Sequence, residues 1–170
     1  FLPLRSYANI TEGNALRLDW EDVVPKEKLN YIMGNPPFVG FTYMTTKQKN
    51  DMQVVFPKAK NLDFVCAWYK IASDYIQGTK IECGFVSTNS ITQGETVSSL
   101  WRFLNIKINF AYRTFVWDSE TKIKAHVHCV IIGFSTFDRA KKLLYQDGQI
   151  KEAQNINAYL CDAPNVIVVS

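Results

Sequence analysis

The chain has 170 residues, 47% of them apolar and 21% charged, with a net charge of +3. That content can bury one core and predicts one domain; it excludes a disordered tail. No apolar run approaches the roughly 18 residues of a membrane-spanning helix, and "FLPLRSYANI" lacks the basic flank and cleavage site of a signal peptide. The weak basic charge permits a nucleic-acid partner without arguing for one. Cys66, Cys83, Cys129 and Cys161 are widely spaced, with no CxxC pair. They read as reduced, partly buried thiols of a cytoplasmic protein, neither a disulfide framework nor a zinc site.

In chain order, "NALRLDW" (14–20) alternates like a short strand, and "LNYIMG" (29–34) is a compact apolar strand that breaks at Gly34. Residues 41–60 show little periodicity and read as a mobile loop with one helical turn at most. From Leu62 to Ile76, apolar residues recur at helical spacing. Asp63 falls in the first turn, where the helix dipole favours a carboxylate, and Gly78 stops the helix. "IECGFVST" (81–88) is a buried strand and "TVSSLWRFL" (96–104) a second helix. "KINFAYRTF" (107–115) and "AHVHCVIIGF" (125–134) are two long strands around the polar loop 118–124, which is short enough to join antiparallel neighbours. The segment 138–170 is charged, contains "INAYL" and reads as a connection leading elsewhere.

This order predicts an α/β layer structure, with helices on the faces of a mostly parallel sheet and an antiparallel C-terminal strand pair. In such sheets ligands bind beyond the carboxyl ends of the strands. "NPPF" (35–38) stands at one of those ends. Proline before proline is held extended and neither offers an N–H, so the segment presents carbonyl oxygens in a fixed direction beside the Asn35 carboxamide. Two rigid acceptors suit a planar NH₂ group with two protons to donate, and Phe38 can stack on the ring that carries it. Holding both hydrogens of adenine's exocyclic amine favours a more pyramidal nitrogen with its lone pair out of the ring plane. Charge developing there strengthens the same bonds, so the stabilisation is differential. The plainer alternative is a loop with two prolines, which chance supplies in roughly one chain in a thousand of this length.

"GNPPF" after a strand resembles the catalytic motif of amino-group DNA methyltransferases that use S-adenosylmethionine, and other segments resemble the same family in the same order. "GNALRLDW" (13–20) is similar to the segment whose acidic residue binds the cofactor adenine. "NLDFVCAWYKIASDYI" (61–76) is similar to the helix after the catalytic loop, and "GFVSTNSITQGE" (84–95) to the next strand and turn. "FAYRTFVWDSETKIKAHVHCVIIGF" (110–134) resembles the late aromatic loop and strand of large bacterial enzymes that fuse methylation and restriction. The resemblance implies a partial Rossmann-like methyltransferase sheet, an adenine-N6 methylation activity within a restriction–modification polypeptide, and double-stranded DNA with a flipped adenine as partner. It implies Asn35, Pro36, Pro37 and Phe38 as the catalytic loop. It also implies Asp19 and Trp20 as cofactor contacts, against a helix cap or a core tryptophan. A flipped base needs stacking on both sides. Trp117, then Phe115, is the expected partner of Phe38, against a plain core contact.

The family's glycine-rich cofactor loop should precede residue 13, yet none of the eight glycines forms GxG. The chain is therefore expected to be the catalytic part of a methyltransferase domain (1–137) followed by a connection toward a target-recognition domain (138–170). It is expected to be inactive alone and able to self-associate through an exposed sheet edge. His126 and His128 form an i, i+2 pair without a third ligand, and methyl transfer from a sulfonium needs no metal, so none is expected. Lys47, Lys49, Lys58 and Lys60 could reach phosphate or simply face solvent. Two other functions use the same features: methylation of a protein glutamine amide, and a degenerate domain kept for DNA binding or assembly. Cytosine-N4 methylation poses the same chemical problem, although that family's motif more often begins with serine.

Overall fold

The computed structural model describes residues 9–58, 61–117 and 127–166, without the side chain of Trp117. Six strands form one sheet in the order β1-β2-β4-β3-β5-β6: β1 Tyr31–Gly34, β2 Glu82–Thr88, β3 Lys107–Trp117, β4 Val127–Ser135, β5 Lys142–Gln146 and β6 Gln149–Ala153. β1 is parallel to β2, and β3 to β5. β4 runs antiparallel to both β2 and β3, and β6 to β5. Four of the six strands therefore point one way, with the antiparallel pairs supplied by β4 and β6. The expected α/β class holds, and so does the antiparallel pairing of the strands around 107–117 and 127–135.

Strand alternation sorts the sheet into two faces. Cys83, Phe85 and Ser87 of β2 stand opposite Phe134, Ile132 and Val130 of β4, and all six are buried. Helices α3 (Cys66–Tyr75) and α4 (Gly94–Leu100) cover this face. Tyr69 of α3 is fully buried there, edge-on to Phe85 at 5.3 Å and stacked on Phe134 at 5.5 Å. Its hydroxyl shares a 2.6 Å hydrogen bond with the Ser87 hydroxyl, which satisfies both polar groups inside the core. On the opposite face Gly84 faces Gly133, and the Phe110 ring lies over both. A Cβ at Gly133 would overlap that ring.

The structure differs from the sequence reading in four places. Residues 14–20 are not a strand. The Asn14 carbonyl accepts from the amides of Arg17 and Leu18, its side chain accepts from Leu16 N, and a short helix α1 (Trp20–Val23) follows. Side-chain and main-chain bonds local to Asn14 thus win over strand pairing. Residues 41–60 are not a loop with at most one turn. They hold α2 (Thr46–Val55), started by a capping box in which Thr45 and Gln48 bond each other's backbone. Beyond Phe137, the expected connection contains β5 and β6, so part of that segment is built into the sheet. The helix expected over 62–76 begins only at Cys66.

Candidate active site at the carboxyl end of the sheet

Because β1, β2 and β3 share one direction, Gly34, Thr88 and Trp117 all lie toward the same end of the sheet, with Val127 of β4 beside them. β1 leaves the sheet at Gly34, paired with Phe85, and passes at once into Asn35-Pro36-Pro37-Phe38. Asn35 and Pro37 are exposed, Pro36 is buried and Phe38 half-buried. Among the described residues the Asn35 carboxamide has no hydrogen-bond partner, so both its oxygen and its amino group remain available to a ligand.

The return path of the loop is tightly held. The Val39 carbonyl accepts from Phe64 N at 2.9 Å, Gly40 O accepts from Tyr43 N at 2.9 Å, and Phe41 N donates to Asp63 Oδ1 at 3.1 Å. Asp63 therefore lies ahead of α3, which begins at Cys66, and not in the first helical turn where the sequence reading put it. The N-cap of α3 is Val65, with no side-chain cap bond. Beyond Phe41 lies a recess of about 270 Å³ between α2 and the loop, lined by Met44, Met52, Phe56 and Leu62, with the Lys49 ammonium 5.4 Å from the Phe41 ring centroid.

Asp19 and Trp20 belong to a separate limb. Asp19 is the N-cap of α1 and accepts from Glu21 N at 2.9 Å through Oδ1. The Trp20 indole N–H donates to the Ala15 carbonyl at 2.9 Å, and its ring meets Tyr75 edge-on at 5.8 Å. Trp20, Leu18, Tyr31 and Met33 line an apolar groove of about 400 Å³ along the outer side of β1. The limb is tied to α2 by Asp51, which is buried and accepts from Asn14 Nδ2 at 2.8 Å and Arg17 Nε at 2.7 Å. Burial works to raise the Asp51 pKa. The two hydrogen bonds and the positive charges of Arg17 and Lys47 outweigh it and hold the carboxyl below its usual range.

Trp117 and Phe115 reach the same end from β3. Phe115 pairs with Cys129, which also pairs with Thr88, so the three share one row across β3, β4 and β2. Phe115 is half-buried and edge-on to Tyr112 at 5.3 Å. Strands stand about 4.8 Å apart, so the end of β3 lies three steps, about 14 Å, across the sheet from β1. The tertiary structure thus gathers the Asn35 loop, the end of β2 and the end of β3 along one rim, with Trp20 around the corner beside β1. His128 is exposed and His126 lies outside the described residues. Among the described residues no three His, Cys, Asp or Glu side chains are grouped to hold a metal ion.

The family model for the "MmeI, DNA-methyltransferase domain" matches residues 1–146. The chain belongs to the MmeI DNA-methyltransferase domain family. It is 40% identical over 178 residues to DNA methyltransferase A of Bacillus subtilis (strain 168), across 99% of this chain and 20% of that protein. It also superposes on the Type IIL restriction-modification enzyme MmeI, solved in complex with DNA, with a TM-score of 0.90 and 48% identity over 97% of this chain and 24% of that one. The chain thus spans about a fifth to a quarter of the relatives it matches. The bridging role of Asp63 and Ser90 and the Asn14–Arg17–Asp51 cluster are features that sequence reasoning missed. The Thr45-x-x-Gln48 signature alone was locally readable.

Proposed function

We propose that this chain carries the catalytic loop of an S-adenosylmethionine-dependent DNA methyltransferase acting on the exocyclic N6 amine of adenine, within a restriction–modification enzyme. The observation that carries the reading is the unpartnered Asn35 carboxamide at the carboxyl end of β1, held by two prolines and by bonds to the start of α3. Asn35 Oδ1 and a carbonyl of the Asn35–Pro36 segment accept the two amine hydrogens, while Phe38 covers the base from one side. Trp117, or Phe115 two residues earlier, covers it from the other. The amine hydrogen bonds strengthen as positive charge builds on N6, which lowers the barrier without tightening ground-state binding equally.

The residues present fit the adenine end of the cofactor. The groove beside Trp20 is lined mostly by apolar and aromatic side chains, and the second oxygen of Asp19 has no hydrogen-bond partner among the described residues. Asp19 would accept from the adenine amine and Trp20 would cover its ring. The bound cofactor supplies an electrophilic methyl group. Lys47, Lys49 and Lys58 are exposed and available to phosphate, and residues 138–170, whose hairpin edges the sheet, would also lead toward target recognition. The outer edge of β1 pairs with no strand among the described residues, so a second copy can add there. No helix among the described residues is long and apolar enough to cross a membrane.

The test is Asn35→Ala in the complete natural protein, followed by transfer of labelled methyl groups to adenine-containing DNA. A loss of about a hundredfold or more is expected, with DNA and cofactor affinity kept. A fall of less than about tenfold would remove Asn35 from the role.

A further inference from the structure

We propose that Asp63 is a positioning residue that sets the Asn35–Phe38 loop against the end of β2; the inference rests on the methyltransferase reading of that loop. Its two carboxylate oxygens serve two different elements. Oδ1 accepts from the backbone N–H of Phe41, three residues past Phe38, at 3.1 Å. Oδ2 accepts from the Ser90 hydroxyl at 2.7 Å, and Ser90 lies 2.9 Å from the Thr88 hydroxyl, the last residue of β2. A serine has one hydroxyl proton. With that proton on Asp63, the Thr88 hydroxyl must donate to Ser90, so a directed chain of hydrogen bonds runs Thr88→Ser90→Asp63.

The upstream end of the loop is fixed by the β1–β2 ladder, where Gly34 pairs with Phe85. Asp63 fixes the downstream end to the same strand's terminus, beside the Val39–Phe64 main-chain bond. Two prolines transmit both constraints to Asn35, because neither has a free φ. The carboxylate is half-buried and is left for this work because α3 takes no side-chain cap from it. A misplacement of about 1 Å at a reacting group can cost on the order of a hundredfold in rate. Asp63 touches neither base nor cofactor in this arrangement and acts through the loop.

The experiment uses the complete natural protein with Asn35→Ala, Asp63→Ala, Asp63→Asn and Ser90→Ala. It measures kcat, the KM for DNA and for S-adenosylmethionine, and thermal midpoints. Asp63→Ala is expected to lower kcat about thirtyfold with both KM values within about threefold. Asp63→Asn, which can still accept from Phe41 N and can donate to Ser90, is expected to recover activity to within about fivefold of the parent. Ser90→Ala, which removes half of the bridge, is expected to lower kcat about fivefold and carries the test if Asp63→Ala does not fold. A parent-like kcat in Asp63→Ala or, where that variant does not fold, in Ser90→Ala overturns the inference. Equal losses in the Asn and Ala variants also overturn it, since charge rather than placement would then be the cause. Asn35→Ala separates the two readings: if it stays active, the assignment of the loop fails, whereas an inactive Asn35→Ala beside a parent-like Asp63→Ala sinks the positioning role alone.

Discussion

The two faces of one sheet differ sharply in this protein, although the same strands make both. On the helix-covered face Phe85, Ile132 and Phe134 are 2% exposed or less, locked around Tyr69. On the other face Met33 is 83% exposed and Tyr31 66%, and Phe110 and Tyr112 are both partly exposed among the described residues. Tyr112 stacks on Tyr145 at 5.9 Å, and Phe110 lies over two glycines, so this face is apolar without being buried. The comparison teaches that alternation assigns a residue to a side but not to an interior. What decides burial is whether a helix returns over that side, and α3 and α4 return over one.

The sharpest way to break the comparison is to truncate one aromatic ring on each face. Phe85→Ala should destabilise the fold by about 3–5 kcal/mol, whereas Tyr112→Ala should cost under about 1 kcal/mol, by denaturant unfolding. Comparable losses would mean that the second face is also sealed. At the rim where the faces meet, Trp117→Ala should weaken retention of a flipped base by about 1–3 kcal/mol, leaving general DNA affinity nearly unchanged. Fluorescence of 2-aminopurine at the target position reports this, and an unchanged signal with a lost one in Phe115→Ala would move the role two residues upstream.

Gly133→Ala sharpens the contrast further. Its methyl group must evict the Phe110 ring, which can swing toward solvent, so a loss of about 1–2 kcal/mol is expected. A larger loss would show that Phe110 is not free to move. A small, pH-dependent effect concerns Asp51, whose depressed pKa makes its contribution present above the unfolded value and lost as pH falls through the folded one. Because Arg17 is 44% exposed, Asp51→Asn should cost only about 1 kcal/mol at neutral pH, and the difference from the parent should vanish in acid. Paired melts at pH 7 and at pH 3 or below check the sign.

The position of the candidate catalytic loop was legible because its conformation is set locally. Asn35-Pro36-Pro37-Phe38 restricts its own backbone, and an apolar run ending at Gly34 places it at a strand end without further information. Asp19 and Trp20 were placed on a strand because Leu16, Leu18 and Trp20 alternate. Asn14 gathers the amides there instead, and among the described residues no strand pairs with them. Helix α2 was missed because it buries only Asp51 and Met52, which leaves almost no apolar stripe for periodicity to find. Its capping box was readable and would have found it.

By itself the sequence determined the elements whose signal lies within a few residues: the strands over 31–34 and 82–88, the long strand pair, the core of α3, and the stiff loop after Gly34. Tertiary structure alone decided the rest, because it depends on pairings between distant positions. It put β4 between β2 and β3, which lines up the ends of β1, β2 and β3 on one rim. It took Asp63 out of the first helical turn expected for it and made it the bridge between Phe41 and Ser90, 22 residues upstream and 27 downstream. No local pattern records a hydrogen bond whose partners are that far apart in the chain, since only the packing of α3 against the sheet brings them together.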